Sequence, residues 1–219
     1  ASSSWAHEYD DRKFTPIENA QLKSYKSTGE KVPPVIYDLT VETNGDTTGD
    51  AGLFKTFAGE LKNIRLVDAK ITGKGTVGGL VGKLTGETTI DGCQVYLKNV
   101  KGGIAKENIF TEHTRIGGKV AGGLVGSTEG KTLTIQNSLA ATVIRGQTAA
   151  GGLIGDGEGF LTMEGSYADC YLSSDATKGA TGGLIGSRLG ATSDLTIQNC
   201  YTAGFLEGKE TAGLVVCDL

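Results

Sequence analysis

The sequence contains little histidine, tryptophan, methionine or proline: its 219 residues include 2 His, 1 Trp, 1 Met and 3 Pro. Aromatic residues make up 6% of the chain, and the formal net charge is −4. No run of lysine and arginine is dense enough to indicate a nucleic-acid-binding surface. No apolar stretch approaches the roughly 18–20 residues that a membrane-spanning helix needs. We therefore expect neither nucleic-acid binding nor membrane insertion.

Glycine is the residue that the chain has in excess, with 35 copies, about twice the usual share of roughly 7%. Collagen is excluded because there is no Gly-X-Y period and proline is scarce, so the glycines must serve many tight corners. The residues present include no signal peptide, and the first is Ala rather than Met. We expect the chain to be part of a longer protein.

A pentapeptide, Gly-Gly-Leu-(Val or Ile)-Gly, recurs four times along the chain. Its copies are Gly78–Gly82, Gly122–Gly126, Gly151–Gly155 and Gly182–Gly186, and weaker copies flank the series. The leucines of the six copies are 27, 44, 29, 31 and 30 residues apart. Such periods are typical of solenoids, in which each repeat covers the apolar face of the next. These anchor leucines are Leu53, Leu80, Leu124, Leu153, Leu184 and Leu214.

After the leucine, each repeat continues with the same succession of residue types. A short strand ends in a pair whose second residue is glycine or asparagine, as in Asp91-Gly92 and Gln136-Asn137. Gly and Asn tolerate a left-handed backbone, so this slot is predicted to be a corner with positive φ. A second strand then leads to a polar turn that contains glycine. Between the corner and this strand stands a small residue that suits an inward position: Cys93, Ser138, Ser166 or Cys200.

The repeats indicate an all-β fold, because each holds two or three strands of three to five residues and no helical period. We predict a right-handed parallel β-helix, or β-solenoid, of about five to six coils. A leucine-rich repeat is the nearest alternative, but its Leu-x-x-Leu-x-Leu pattern is missing. Residues 1–50 are interpreted as an N-terminal cap plus an incomplete first coil. Residues 51–219 hold the repeats, with an inserted loop near residues 98–118 in the long spacing.

The four cysteines are predicted to be reduced thiols. Cys93 and Cys200 occupy the same place in repeats that are three coils apart, roughly 14 Å at the spacing of paired strands. A disulfide tolerates a Cα separation of only about 4.4–6.8 Å. Cys170 with Cys217 is the pair that this reasoning excludes least.

The tetrad Gly-Leu-(Val or Ile)-Gly and its flanks resemble the GLUG motifs of bacterial surface repeats. These motifs occur in large secreted or wall-attached proteins, including many adhesin-like proteins and the N-terminal regions of immunoglobulin A1 proteases. The resemblance spans roughly residues 14–219 and implies a repeat scaffold outside the cell, but no single activity. The last copy, at residues 212–217, lacks the closing glycine. The matching residues are Gly79, Leu80 and Gly82; Gly123, Leu124 and Gly126; Gly152, Leu153 and Gly155; and Gly183, Leu184 and Gly186.

Metal-binding patterns are incomplete in this sequence. His7-Glu8 begins like the zinc motif His-Glu-x-x-His, but the second histidine is missing, and the only other histidine is His113. Residues 156–159, Asp-Gly-Glu-Gly, have too few ligands for a calcium loop and are expected to form a solvated turn. We predict neither a metal nor a cofactor.

Paired carboxylates offer the remaining route to catalysis. Asp91 and Glu164 share a slot two coils apart, roughly 9–10 Å by strand spacing. That distance is near the upper limit for an inverting glycosidase pair. Gln136 and Gln198 occupy the same slot in other coils, which indicates an ordinary solvated position. We predict no catalytic residues.

Aromatic residues are the first candidate for ligand binding. Tyr167 and Tyr201 share an outward slot in neighbouring coils. Tyr171 and Phe205 nearly share another. Such pairs either stack across coils for stability or form a platform for a sugar or a protein.

The inserted loop is the second candidate, through Glu112 and His113. Together these features predict a non-catalytic, extracellular β-solenoid module of a bacterial cell-surface or secreted protein. It would bind a host glycan or matrix protein in an adhesin-like manner, or act as a structural spacer. The alternatives are a carbohydrate-active β-helix enzyme (a polysaccharide lyase or hydrolase) and an accessory region of a large surface protease.

Overall fold

The computed structural model describes residues 20–22, 35–43, 48–98, 114–175, 177, 179–188, 191–208 and 211–216. Within these ranges the chain forms 22 strands and no helix. The strands are β1 (Ala20–Leu22), β2 (Val35–Tyr37), β3 (Thr40–Glu42), β4 (Phe54–Lys62), β5 (Arg65–Val67), β6 (Lys70–Thr72), β7 (Thr76–Gly78), β8 (Val81–Asp91), β9 (Gln94–Tyr96), β10 (Ile116–Gly122), β11 (Val125–Ser127), β12 (Leu133–Gln136), β13 (Leu139–Ala141), β14 (Val143–Gly151), β15 (Ile154–Asp156), β16 (Leu161–Glu164), β17 (Tyr167–Ser174), β18 (Ala180–Gly182), β19 (Ile185–Ser187), β20 (Leu195–Gln198), β21 (Tyr201–Glu207) and β22 (Thr211–Gly213).

These strands form two parallel sheets, which confirms the predicted all-β solenoid, with about five turns. In the described part of the chain, the nine-stranded sheet holds β1, β4, β8, β11, β12, β15, β16, β19 and β20, and the thirteen-stranded sheet holds the rest. A coil crosses both sheets, as β11 to β14 do, and the next coil, β15 to β18, pairs with it strand by strand. Each strand is therefore hydrogen-bonded to the equivalent strands of neighbouring coils.

Equivalent residues of successive repeats stack in register, as the sequence predicts. Ile90, Ile135, Met163 and Ile197 are aligned across β8, β12, β16 and β20. The strands end at corners where Gly92, Asn137, Gly165 and Asn199 have φ values of 66°, 49°, 57° and 52°. The predicted left-handed slot is confirmed at all four positions. The corner residues are the ones that tolerate this backbone, so the local sequence dictates where each coil turns.

Small residues after the corners are joined by a hydrogen-bonded ladder. The backbone N–H of Cys93 donates to Oγ of Ser138 at 3.0 Å, and the N–H of Ser138 donates to Oγ of Ser166 at 3.1 Å. Each serine hydroxyl in turn donates to the carbonyl two residues earlier, at 2.6 and 2.9 Å. All three side chains are buried. A hydroxyl at this slot thus satisfies buried backbone groups next to the corner.

One continuous apolar core fills the interior, and five of the six anchor leucines are part of it. Leu53, Leu80, Leu124, Leu153 and Leu184 are buried, whereas Leu214 is exposed. The adjacent glycines lie where neighbouring coils come closest: a Cβ on Gly123 would overlap the carbonyl oxygen of Gly152. The repeated motif is therefore a packing device.

The structure differs from the prediction in the number and length of strands. The coil from Val125 to Gly151 contains four strands instead of two or three, and β8 is 11 residues long. The additional strands are the small-residue segments before each anchor, such as β18, which pairs with β14 and β22. Ala and Gly, which dominate these segments, have low strand propensity, so the sequence pattern did not reveal the strands.

Two segment boundaries are also clarified. Strand β10 begins at Ile116 and pairs with β6 and β14, so residues 116–118 lie in the sheet and not in the inserted loop. Strands β1, β2 and β3 pair in parallel with β4, β5 and β6, so residues 20–42 contribute strands to both sheets. The division of the chain at residue 50 stays a prediction.

The described cysteines Cys93, Cys170 and Cys200 are free thiols, in agreement with the prediction, and Cys217 lies outside the described residues. Burial raises the pKa of Cys93 to about 11 and that of Cys170 to about 12. Both thiols are therefore protonated at neutral pH and act as small core residues. In the described ranges, no helix is long and apolar enough to cross a membrane.

Candidate functional site

The predicted aromatic pairs lie on the outer face of the thirteen-stranded sheet. Strand alternation places Ala168 and Leu172 of β17 in the core, so Tyr167 and Tyr171 point outward. Tyr201 and Phe205 of β21 are their register partners in the next coil. We call this surface the aromatic face, and it comprises Leu97, Val143, Tyr167, Tyr171, Tyr201 and Phe205.

Tyr167 and Tyr201 form a parallel stack. Their ring centroids are 4.7 Å apart, and the ring planes differ by 5°. Tyr201 is 57% exposed and covers one side of Tyr167. Burial, followed by the neighbouring Tyr201 and Asp169, raises the pKa of Tyr167, so its hydroxyl is neutral at physiological pH. One flat aromatic surface thus remains open to solvent.

Tyr171 and Phe205 form a second, looser pair, with ring centroids 6.5 Å apart and planes tilted by 38°. They pack together with Leu97 on Val143, which is 1% exposed although its neighbour Ile144 is the residue that faces the core. An outward valine is therefore covered by residues of three other coils. This second, smaller apolar cluster forms the base of the aromatic face.

A cleft of about 410 Å³ opens beside this cluster. It is lined by Leu97, Lys98, Ala141, Thr142, Asp169 and Tyr171. Three of these side chains are apolar or aromatic and three, Lys98, Thr142 and Asp169, carry hydrogen-bonding groups, so the cleft is suited to a polar ligand. The combination can hold a sugar ring against Tyr171, with Asp169 and Lys98 available to its hydroxyl groups.

The structure thus brings together four of the predicted binding residues in two pairs. Glu112 and His113 lie outside the described residues, so their role stays a prediction. Sequence reasoning missed Leu97, Lys98 and Asp169, because they belong to different coils and meet only through the stacking. A signal was present for Asp169 alone, since it follows Tyr167 by two residues and must share its face.

The carboxylates Asp91 and Glu164 occupy one row of the nine-stranded sheet, with Gln136 between them. Asp91 accepts a hydrogen bond from Nδ2 of Asn137 at 3.0 Å. These residues form an ordinary row of polar side chains across the strands, next to the corners. The described residues contain no group of three or more His, Cys, Asp or Glu arranged to hold a metal ion.

Asp156 differs from the solvated turn residue that the sequence predicts. It ends β15, where its register partners are Ser127 and Ser187, and it is half-buried. Burial raises its pKa to about 6, and the carboxylates of Glu158 and Glu129 add to the shift. Asp156 is therefore the described carboxyl group with the most perturbed environment, and perturbed carboxyl groups are candidates for acid–base roles.

Asp156→Asn is expected to stabilise the protein at neutral pH. The pKa of this carboxyl is raised on folding, so stability falls as pH rises from about 4 to 6, where the unfolded chain ionises first. A shift of about two units corresponds to roughly 3 kcal/mol, and partial exposure reduces this to about 1–2 kcal/mol. Urea unfolding of both forms at pH 4 and pH 7 measures the effect.

The control for that experiment is Asp194→Asn, at an exposed position of the next coil, which should change little at either pH. The expected result is a wild-type-to-variant difference that is small at pH 4 and grows by pH 7. If the difference in free energy of unfolding between wild type and Asp156→Asn is the same at both pH values, ionisation of Asp156 does not destabilise the folded protein.

Taken together, the fold and this surface define a parallel β-solenoid with outward-facing aromatic pairs. No protein-family model matches the chain, and no curated protein matches it. Among solved structures, the chain is similar to the crystal structure of a candidate immunoglobulin A1 protease from Bacteroides ovatus, with a TM-score of 0.52 and 17% identity. The match covers 84% of this chain and 66% of that chain, just under two thirds of its length. At this identity the likeness supports the fold.

Proposed function

We propose that this chain is a non-catalytic, ligand-binding module of a bacterial cell-surface or secreted protein. The solenoid holds the aromatic face and its cleft toward the surroundings, and an extracellular glycan or a host matrix protein docks there in an adhesin-like manner. The observation that carries the proposal is the flat Tyr167–Tyr201 stack, which leaves one aromatic surface in solvent. The cleft of about 410 Å³ lies toward the preceding coils and is connected to the stack through Asp169 and Tyr171, which share β17 with Tyr167.

The aromatic face is suited to binding because it is rigid before a ligand arrives. The two tyrosines lie on paired strands, β17 and β21, which share seven register partners. Little side-chain entropy is lost when a ring already held in a stack accepts a ligand. The recurrent Gly-Leu-(Val or Ile)-Gly tetrads support a GLUG-type surface scaffold, and the similar fold of the Bacteroides ovatus protein supports a bacterial context.

A binding screen against glycans and matrix proteins tests this proposal, with Tyr201→Ala as the test variant. Removing one aromatic surface costs about 0.5–1.5 kcal/mol, so binding should weaken by a factor between about two and ten. Tyr37→Ala is a matched control, because Tyr37 is 59% exposed on β2 at the opposite end of the same sheet, and Tyr201 is 57% exposed. Equal losses in both variants, or binding unaffected in Tyr201→Ala, would contradict the proposed site.

A carbohydrate-active enzyme is the second candidate, and Asp156 is the observation that favours it. A glycoside hydrolase needs an acid whose pKa is raised and a second carboxylate nearby. Reproducible cleavage of a glycan, abolished by Asp156→Asn but retained by Asp194→Asn, would replace the binding proposal with this one.

An accessory region of a surface protease is the third candidate. It draws on the similar fold of a protein described as a candidate immunoglobulin A1 protease. Under this alternative, the chain would bind immunoglobulin A1 without cleaving it. Measuring the binding of immunoglobulin A1 and of unrelated immunoglobulins to the surface-immobilised chain distinguishes that outcome from glycan binding.

A further inference from the structure

A second concavity, of about 460 Å³, lies on the thirteen-stranded sheet where β6, β10 and β14 run side by side. We call it the glycine groove, because four of its lining residues are Gly73, Gly117, Gly118 and Gly146. It shares no lining residue with the cleft of the aromatic face. The groove therefore needs an explanation of its own.

Gly117 is a glycine that the fold does not require. Its φ is not in the left-handed region, and a Cβ would meet the Thr114 Cγ2 at 3.1 Å, the Thr72 Cγ2 at 3.6 Å and the Arg145 carbonyl oxygen at 3.9 Å. By contrast, a Cβ on Gly118 would come within 2.5 Å of a Val77 methyl, and one on Gly146 would overlap a backbone carbonyl. A glycine inside a strand weakens it and often marks a bulge or the close approach of a ligand or of another backbone. The register shift of β10 lies between Gly118 and Val120, whereas Gly117 is in regular register with Thr72 and Arg145, so the close approach of a ligand remains to explain Gly117.

The lining of the groove is rich in hydrogen-bond donors and includes two cations, Lys70 and Arg145, and one carboxylate, Asp175. Arg145 pairs with Asp175 through an Nε–Oδ2 contact of 2.7 Å, and Nζ of Lys70 lies 3.9 Å from Oε1 of Glu42, which does not line the groove. The Lys70–Glu42 pair is long and partly exposed and therefore weak, so Lys70 can exchange it for a ligand carboxylate. Gln147 and the hydroxyls of Thr72 and Thr114 add neutral polar groups. Guanidinium and ammonium groups bind carboxylates through charge-assisted hydrogen bonds, and amides and hydroxyls match sugar hydroxyls.

We propose that the glycine groove binds a sugar that carries a carboxylate. The side-chain-free strand at Gly117 accepts the face of the ring, Lys70 and Arg145 bind its carboxylate, and the threonines and Gln147 bind its hydroxyl groups. An acidic peptide fits less well, because β10 is paired on both sides and offers no strand edge. The lining also has no large apolar side chain to hold a peptide anchor.

Gly117→Val tests the proposal by filling the groove. Gly86→Val is the matched control: Gly86 lies in β8 on the other sheet, and its added Cβ would meet only the Ala58 Cβ, at 3.0 Å. Valine suits both partly buried strand positions, and thermal unfolding checks that both variants stay folded at the temperature of the binding measurement. Lys70→Gln is a second variant that removes a rim charge without adding bulk.

Binding is measured with an oligogalacturonate and a sialylated trisaccharide, which carry the carboxylate on different sugars. The neutral counterparts are the methyl-esterified oligogalacturonide and lactose, and a glutamate-rich peptide serves as the competing class. We expect one or both acidic sugars to bind at least tenfold more tightly than their neutral counterparts. Gly117→Val and Lys70→Gln should each reduce that binding at least tenfold, and Gly86→Val should leave it unchanged.

Failure to bind either acidic sugar would overturn the proposal, as would preferential binding of the peptide or undiminished binding in the folded Gly117→Val variant. The outcome is independent of the aromatic face, because Tyr201→Ala leaves every lining residue of the groove intact. Loss in Tyr201→Ala alone would assign the ligand to the aromatic face, and loss in Gly117→Val alone would assign it to the groove.

Discussion

Gly123→Ala is expected to lower the free energy of unfolding by about 3 kcal/mol or more. The added Cβ would overlap the carbonyl oxygen of Gly152 in the next coil and come within 2.5 Å of the Ala140 Cβ. Neither neighbour can rotate away, because one is backbone and the other is a methyl fixed to it. The hydrogen bond from the N–H of Leu124 to the carbonyl of Leu153, at 2.9 Å, holds the two coils at this spacing.

For a chain of this length, that loss corresponds to a fall in melting temperature of about 6–12 °C. Thermal unfolding followed by far-UV circular dichroism provides the measurement. Gly117→Ala is the control, because its Cβ meets only side-chain methyls and one more distant carbonyl oxygen. We expect no loss there and a small gain, since alanine reduces the entropy of the unfolded chain. Equal melting temperatures for the two variants would contradict the close-packing role of the anchor glycines.

Leu124→Ala is expected to cost about 2–5 kcal/mol. Leu124 is 0% exposed and belongs to the core cluster together with the preceding and following anchors, Leu80 and Leu153. Truncation removes the apolar side chain from the middle of the leucine stack. The rigid coils cannot close the cavity, because both neighbouring coils are fixed to this one by backbone hydrogen bonds. Denaturant unfolding measures the loss.

Leu214→Ala is the matched control, because Leu214 occupies the same place in the repeated motif but is 77% exposed. Its truncation should change the free energy of unfolding by less than about 0.5 kcal/mol. Similar losses for both leucines would mean that the motif position, and not burial, determines the energetic contribution.

The repeat scaffold could be predicted from the sequence because its signals are local. The corners at Asn137 and Gly165 require residues that tolerate positive φ, and the alternation around Ile135 and Met163 sets which side chains face the core. The pairs Tyr167–Tyr201 and Tyr171–Phe205 can be predicted from the repeats as well, because residues at the same place in neighbouring repeats are register partners.

The surroundings of these pairs could not be predicted. The cleft joins Leu97 from one coil to Tyr171 two coils later, and the glycine groove joins Lys70 to Arg145. A shift in register between Gly118 and Val120 alters which residues are neighbours across β10 and β14. Neither the shift nor the unusual burial of Asp156 has a sequence signature.

The period, the corners, the inward-facing leucines and the outward-facing tyrosines can be read from the amino-acid sequence, because each depends on one residue type at one place in a repeating unit. The packing of the coils sets which outward residues form a cleft, which glycines are required by close contact, and why Leu124 is buried while Leu214 is not. Those properties depend on what the neighbouring coil places within a few ångströms, and a repeat read in isolation carries no information about its neighbours.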